Sequence, residues 1–145
     1  MTGSSIAPLL RLVTRWAAQQ EEISACALVG SYARGQARPD SDVDLVVLTT
    51  APLAYRRSLD WMSAIPLASL GLSVVSWTDE DYGPLWSRRM ILSDGLELEW
   101  GFTAPAWAAT DPIDPGTQRV ASDGLRILLD PDGILHDLVQ ALASR

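Results

Sequence analysis

The 145-residue sequence contains no lysine and no asparagine, one cysteine and one histidine. Without lysine there is no Walker-type phosphate loop, no Schiff base and no covalent lysyl-nucleotide intermediate. All eleven basic residues are arginine, set against eighteen acidic ones for a formal charge of -7. That balance argues against wrapping a long nucleic acid, which requires a basic footprint to displace counterions. A small molecule or a protein is the better match as a reaction partner. Cys26 has no cysteine to pair with and cannot build a zinc site; within ISACALVG it reads as a small buried hydrophobe. The lone His136 falls in the last helical segment, away from any acid pair, so no serine-histidine-acid triad is expected. No apolar run approaches the ~20 residues of a membrane span. The N-terminus lacks the basic start, apolar core and cleavage site of a secretory leader, so the expected location is cytoplasmic.

What the chain does contain is the material of one globular domain over residues 1–145, with 48% hydrophobic residues. Ile6, Leu9, Leu10, Val13, Trp16 and Ala17 recur at helical spacing up to about Gln20, with Ser5 or Ser4 as a cap. Residues 23–29, ISACALV, read as a buried strand ending at Gly30. SYARGQ has room for one or two helical turns before the polar ARPDS. DVDLVVLTT, 42–50, is β-branched and apolar enough for a central strand. A helix is predicted from Pro52 through Ile65, a strand over 70–77, and a turn over TDEDYGP. Residues 85–92 are ambiguous, and the arginine pairs 56/57 and 88/89 read as helix-face charges. LELEWGF, 96–102, alternates strictly and predicts another strand. The prolines of 103–118 predict a loop, LRILLD a further strand, and ILHDLVQALA a closing helix after the DPDG turn. The expected class is α/β (α+β): a mixed sheet of about five strands flanked by helices.

Within this pattern, Asp42 and Asp44 are two apart on a strand, so they share a face about 7 Å apart at the backbone. Two such carboxylates repel unless a positive charge sits between them. A divalent cation satisfies that need, and hard carboxylate oxygens suit Mg²⁺, which takes one or two carboxylates together with substrate phosphates. Upstream, where strand 23–29 meets the short helical turns, Gly30 lets a phosphate approach the backbone, and the first free amides plus the Ser31 hydroxyl face it at the positive end of the helix dipole. A phosphate cradle beside a metal-binding pair is what phosphoryl and nucleotidyl transfer require.

Gly30-Ser31, ten intervening residues and Asp42-Val43-Asp44 together resemble the GS-x10-D-x-D signature of the DNA polymerase β-like nucleotidyltransferase superfamily. SYARG and PDS are also similar to its minimal stand-alone members and to the antibiotic nucleotidyltransferases. The resemblance is tightest over residues 28–48. It implies the nucleotidyltransferase fold, two Mg²⁺ ions held by Asp42 and Asp44, and a nucleoside triphosphate gripped by Gly30 and Ser31. Arg34 and Arg38 flank the cradle as candidates for neutralising the triphosphate. The family's third carboxylate lies on a later strand. Glu97 and Glu99 share a face there, and Glu99, followed three residues later by Phe102, is the better match to that strand. Glutamate in place of aspartate is a departure also seen in some antibiotic-modifying members. In that scheme Glu99 assists deprotonation of an acceptor hydroxyl or holds the activating metal.

The resemblance implies transfer of a nucleoside monophosphate, AMP from ATP first, onto a hydroxyl of a small molecule or protein. The family's larger members hold the acceptor with an added helical domain. Here a partner chain, a homo-oligomer or the segment 103–118 would have to supply that surface. Two other readings compete: an antitoxin-like partner of a small helical toxin, and a non-catalytic nucleotide-binding module of the same fold. A calcium loop fails outright, because Leu45 stands where an EF-hand needs glycine and Ala51 where it needs glutamate. Of six tryptophans, Trp86 and Trp107 lie near prolines and are candidates for stacking on a base, with the rest expected in the core.

Overall fold

Two runs of β-branched and aliphatic residues form the middle of the molecule in a computed structural model that describes residues 6–144. The first is β1, Ile23–Val29, and the second is β2, Val43–Thr49; each is buried along nearly its whole length. They pair antiparallel, Val29 facing Asp44. Four further strands complete a mixed sheet: β3 (Val74–Asp81), β4 (Leu85–Leu92), β5 (Glu97–Thr103) and β6 (Leu125–Leu129), in the order β3-β4-β5-β2-β1-β6. Among the described residues only β2 and β5 pair in parallel, and the other pairings are antiparallel.

Side chains alternate across the sheet, and each face has its own cover. Val43, Leu45 and Val47 of β2, with Leu98, Trp100 and Phe102 of β5, turn toward α1 (Ala7–Ala18), α2 (Pro52–Arg57) and α3 (Asp60–Ala64). Aromatic rings fill that layer. Tyr55 and Trp86 stack on Phe102 at 5.0 and 4.8 Å, and Trp100 meets Trp16 and Trp61 edge-on at 5.6 and 5.2 Å. Each such pair contributes ~0.5–1.5 kcal/mol beyond its buried area. Val46 and Leu48 turn to the other face. There Ala108, Ile113, Ala121, Leu135 and Leu138 cover them, from a 3-10 turn (Pro105–Ala108), the segment after it, α4 (Pro115–Ser122) and α5 (Ile134–Ala143).

The sheet has six strands rather than about five, because the ambiguous segment 85–92 is β4. The third strand runs 74–81 rather than 70–77: a 3-10 turn ends at Leu70, Gly71 turns left-handed, and TDED continues the strand instead of leaving it. That strand is the sheet's edge, open to water on both faces for most of its length, so charge there does not break it. The helix expected over 52–65 is two short helices separated at Ser58 and Leu59. The loop expected over 103–118 contains the 3-10 turn and α4. Asp114 caps that helix by accepting hydrogen bonds from the amides of Gly116 and Thr117, and Pro115 occupies its first turn. The Ser4 or Ser5 cap expected for the first helix lies outside the described residues. No helix among the described residues is long and apolar enough to cross a membrane.

Candidate active site

Asp44 faces away from the aromatic layer because Val43 and Leu45 on either side are drawn into it. It sits at the open end of β2, before Val46 and Leu48 pass under the second cover. The parallel register places Glu99 directly opposite Asp44, and the antiparallel register of β4 places Arg89 opposite Glu99. One row across three strands thus reads carboxylate, carboxylate, guanidinium. Asp44 and Glu99 open into a cleft of about 300 Å³ that Gly30, Tyr82, Ser87 and Asp123 also line. A larger groove of about 460 Å³ lies between α1 and β6 and is lined by no carboxylate among the described residues.

Gly30 ends β1 with φ +78°. A Cβ there would lie 2.6 Å from Asp44 Oδ2, so the bare glycine is what lets the carboxylate rest against the bend. Gly30→Ala is therefore expected to cost ~1–3 kcal/mol from the left-handed backbone alone and to swing the Asp44 carboxylate away from the bend. Chemical denaturation measures the first effect; a Gly30→Ala protein as stable as the parent would remove the close contact from the account.

The residues after Gly30 form hydrogen-bonded turns, not the helical turns expected. The Arg34 amide donates to Gly30 O at 3.1 Å and the Gln36 amide to Ser31 O at 2.9 Å. No helix dipole is available at the bend, but the amides of Ser31, Tyr32 and Ala33 donate to no protein acceptor among the described residues. Arg34 does not reach into the cleft. Its guanidinium pairs with Asp123 at 2.6 Å and bonds Gln36, tying the bend to the end of α4. Arg38 is exposed, its amide donating to Ser41 Oγ at 2.7 Å.

Asp42 precedes β2, and its Oδ2 lies 3.5 Å from Arg89 Nη1. The same nitrogen donates to Glu97 Oε2 at 3.0 Å, while Nη2 and Nε donate to Glu99 Oε1 at 2.8 and 3.2 Å. Asp42, Glu97 and Glu99 thus gather around one guanidinium. The electrostatics follow from this crowding. Burial pushes the Asp44 carboxyl up to about 6, helped by the negative charges of Glu99 and Asp42 and opposed by Arg89. Glu97 is raised by a hydrogen bond shared with Asp42 and by the charge of Asp42. Arg89 is held more firmly protonated by its bond to Glu99.

Arg89 is the site residue that the sequence reading missed, because a helix would place residues 88 and 89 on one solvated face. As a strand, 85–92 sends them to opposite faces. Trp86 is not available to a base: it is buried, stacked on Phe102, and donates Nε1–H to Pro52 O at 2.7 Å. Trp107 is half-buried against the second cluster.

Among the described residues, no three histidine, cysteine, aspartate or glutamate side chains already form a site able to hold a metal ion. The donor set is nevertheless the hard-oxygen kind that a divalent cation of the Mg²⁺ type takes, and a positive group is already seated among three of these carboxylates.

Residues 13–83 match the polymerase β nucleotidyltransferase family. The matched stretch runs from α1 through β3 and includes Gly30, Asp42 and Asp44; members of that family generally use nucleoside triphosphates and divalent metal. Among solved structures, an aminoglycoside 6-adenyltransferase from Bacillus subtilis superposes with a TM-score of 0.50 at 12% identity, over 67% of this chain and 34% of that one. Cid1 in complex with the UTP analogue UMPNPP gives 0.46 and 17%, over 69% and 30% of the two chains. A toxin-antitoxin structure with AMP-PNP gives 0.48 and 10%, over 93% and 84%. At 12% identity the likeness to the adenyltransferase is one of fold alone. The chain spans about a third of the length of the first two structures. No curated protein matches the chain.

Proposed function

We propose that the protein transfers a nucleoside monophosphate, AMP from ATP in the first instance, to a hydroxyl of a small molecule or protein. The observation that carries this reading is the single row Asp44–Glu99 opening into the same cleft as Gly30, with Asp44 Oδ2 against the bend. Asp42, Asp44 and Glu99 would hold Mg²⁺, which when bound neutralises phosphate charge and draws both reacting oxygens into line. The chain's own contributions are separable. The bend at Gly30 and Ser31 offers free amides to phosphate oxygens. Glu99 stands opposite Asp44, where it can accept the proton of the attacking hydroxyl or orient that hydroxyl. Arg34 acts indirectly, by fixing the bend against α4.

The acceptor would use the cleft beside Tyr82 and Val120. The test is incubation with each α-labelled nucleoside triphosphate and Mg²⁺, with a panel of aminoglycosides, lincosamides and candidate partner proteins. Label transfer with release of pyrophosphate is expected with ATP. Tight nucleotide binding without pyrophosphate release would instead make the protein a nucleotide-binding module, and label on a co-purifying small helical protein would make that protein the acceptor.

A further inference from the structure

We propose that Arg89 is the resident counter-ion of the carboxylate cluster, and that a divalent cation binds there only by displacing its guanidinium. This rests on the reading of the carboxylates as metal ligands. The side chain spends all three of its nitrogens on the cluster: Nε and Nη2 on Glu99, and Nη1 on Glu97, with Asp42 at 3.5 Å. A hard cation needs these same oxygens at ~2.1 Å, a distance at which a guanidinium and a metal cannot share the carboxylate of Glu99. The two positive groups are alternatives.

The placement explains how four acidic groups coexist at one end of the sheet. Arg89 lies opposite Glu99 on the neighbouring strand, so the pairing is built into strand register and not into a flexible loop. Its side chain is 45% exposed, which leaves solvent on one side into which it can swing. One guanidinium does not neutralise Asp42, Asp44, Glu97 and Glu99, so the cluster keeps net negative charge and still attracts a divalent ion. Attraction with an occupant already in place gives weak binding of the bare metal. A nucleotide that arrives with its own metal supplies phosphate oxygens as extra ligands and overcomes the occupant. Metal and nucleotide would then load together, and bare metal would be held only weakly. Asp44, against Gly30 and outside the guanidinium's hydrogen bonds, is the carboxylate left free for first contact.

The test is Mn²⁺ titration of the full chain, read by the loss of free-ion electron paramagnetic resonance signal. Parent, Arg89→Gln and Arg89→Lys proteins are compared without nucleotide. Arg89→Gln is expected to bind Mn²⁺ at least tenfold more tightly than the parent, and Arg89→Lys to fall between them, since an ammonium lacks the fork that spans the carboxylates. In the parent, labelled with ¹⁵N-arginine, the Arg89 Nε–H resonance is expected to move with saturating Mg²⁺ toward that of a solvated arginine. Should Arg89→Gln fail to fold, Arg89→Lys and the resonance decide the matter. Parent binding of Mn²⁺ with no gain in the variants, or an unmoved resonance, overturns the proposal while leaving nucleotidyl transfer standing. Absence of Mn²⁺ binding in all three proteins overturns both the proposal and the metal reading on which it rests.

Discussion

Asp44→Asn is expected to lose nucleotidyl transfer by a factor of about 10³ or more while melting at a higher temperature than the parent at pH 7.5. The two effects have one cause. Asp44 is half-buried, faces Glu99 across the sheet and has Asp42 two residues away. Those surroundings lift its carboxyl from an ordinary 3.8 to about 6 in the folded protein, and no hydrogen bond contributes to hold the ionised form. A carboxyl raised in this way favours folding fully below its unfolded value and loses that contribution as pH rises through about 6. Above that, the ionised side chain opposes the fold until a cation arrives.

Asparagine keeps the shape and never ionises, so the variant escapes the loss. A dry site would make the difference nearly 3 kcal/mol; the open cleft screens it to about 1–2 kcal/mol, or ~3–6 °C. The gap between variant and parent should be small at pH 4, widen through about pH 6 and then level off. Thermal melts across that range without divalent ions measure it. A variant less stable than the parent at pH 7.5 would mean that Asp44 is a structural partner, and the repulsive cluster would have to be abandoned. A fully active variant would remove the carboxylate from the chemistry.

The parts of the fold that were readable from sequence are those where burial imposes a pattern. ISACALV and DVDLVVLTT are apolar because they lie in the middle of the sheet with covers on both faces. Alternation in LELEWGF reflects one face packed and one face wet, and it correctly put Glu97 and Glu99 together on one side. What was not readable lies where a single local rule met a competing one. TDED looks like a turn, yet at an edge strand charged residues cost little and discourage further pairing. In 85–92, two adjacent arginines hide a strand because one of them is buried, which composition does not suggest. Asp114-Pro115-Gly116 carried a cap and a first-turn proline, but proline density made the whole segment read as loop. For the site, the pair Asp42 and Asp44 and the turn at Gly30 were visible as a spacing; that Glu99 stands opposite Asp44 required the β2–β5 register. Arg89 required knowing that its segment is a strand at all.

Arg88 is where the largest loss of stability is expected. Its side chain is fully buried beneath the aromatic layer, with Nε and Nη2 bound to the two oxygens of Asp79 at 2.7 and 2.8 Å. The guanidinium carbon lies 4.3 Å from the Trp77 ring and 5.2 Å from that of Trp86. Nη2 also donates to Arg56 O at 3.3 Å, joining β4 to the end of α2. A buried ion pair adds little net stability when intact, because both charges were desolvated to make it, but removing one partner strands the other. Arg88→Ala leaves Asp79 unpaired, opens a cavity under Trp86 and deletes a cation–π contact. The expected cost is about 3–5 kcal/mol, or roughly 10 °C in melting temperature. Replacing both partners, Arg88→Met with Asp79→Leu, should recover most of that loss, since matched apolar groups avoid the stranded charge. Arg89→Gln, one residue away on the opposite face, should cost no more than about 1 kcal/mol because its pairs are exposed. Equal losses at 88 and 89 would contradict the division of labour between the two faces of β4. So would a double variant no better than Arg88→Ala.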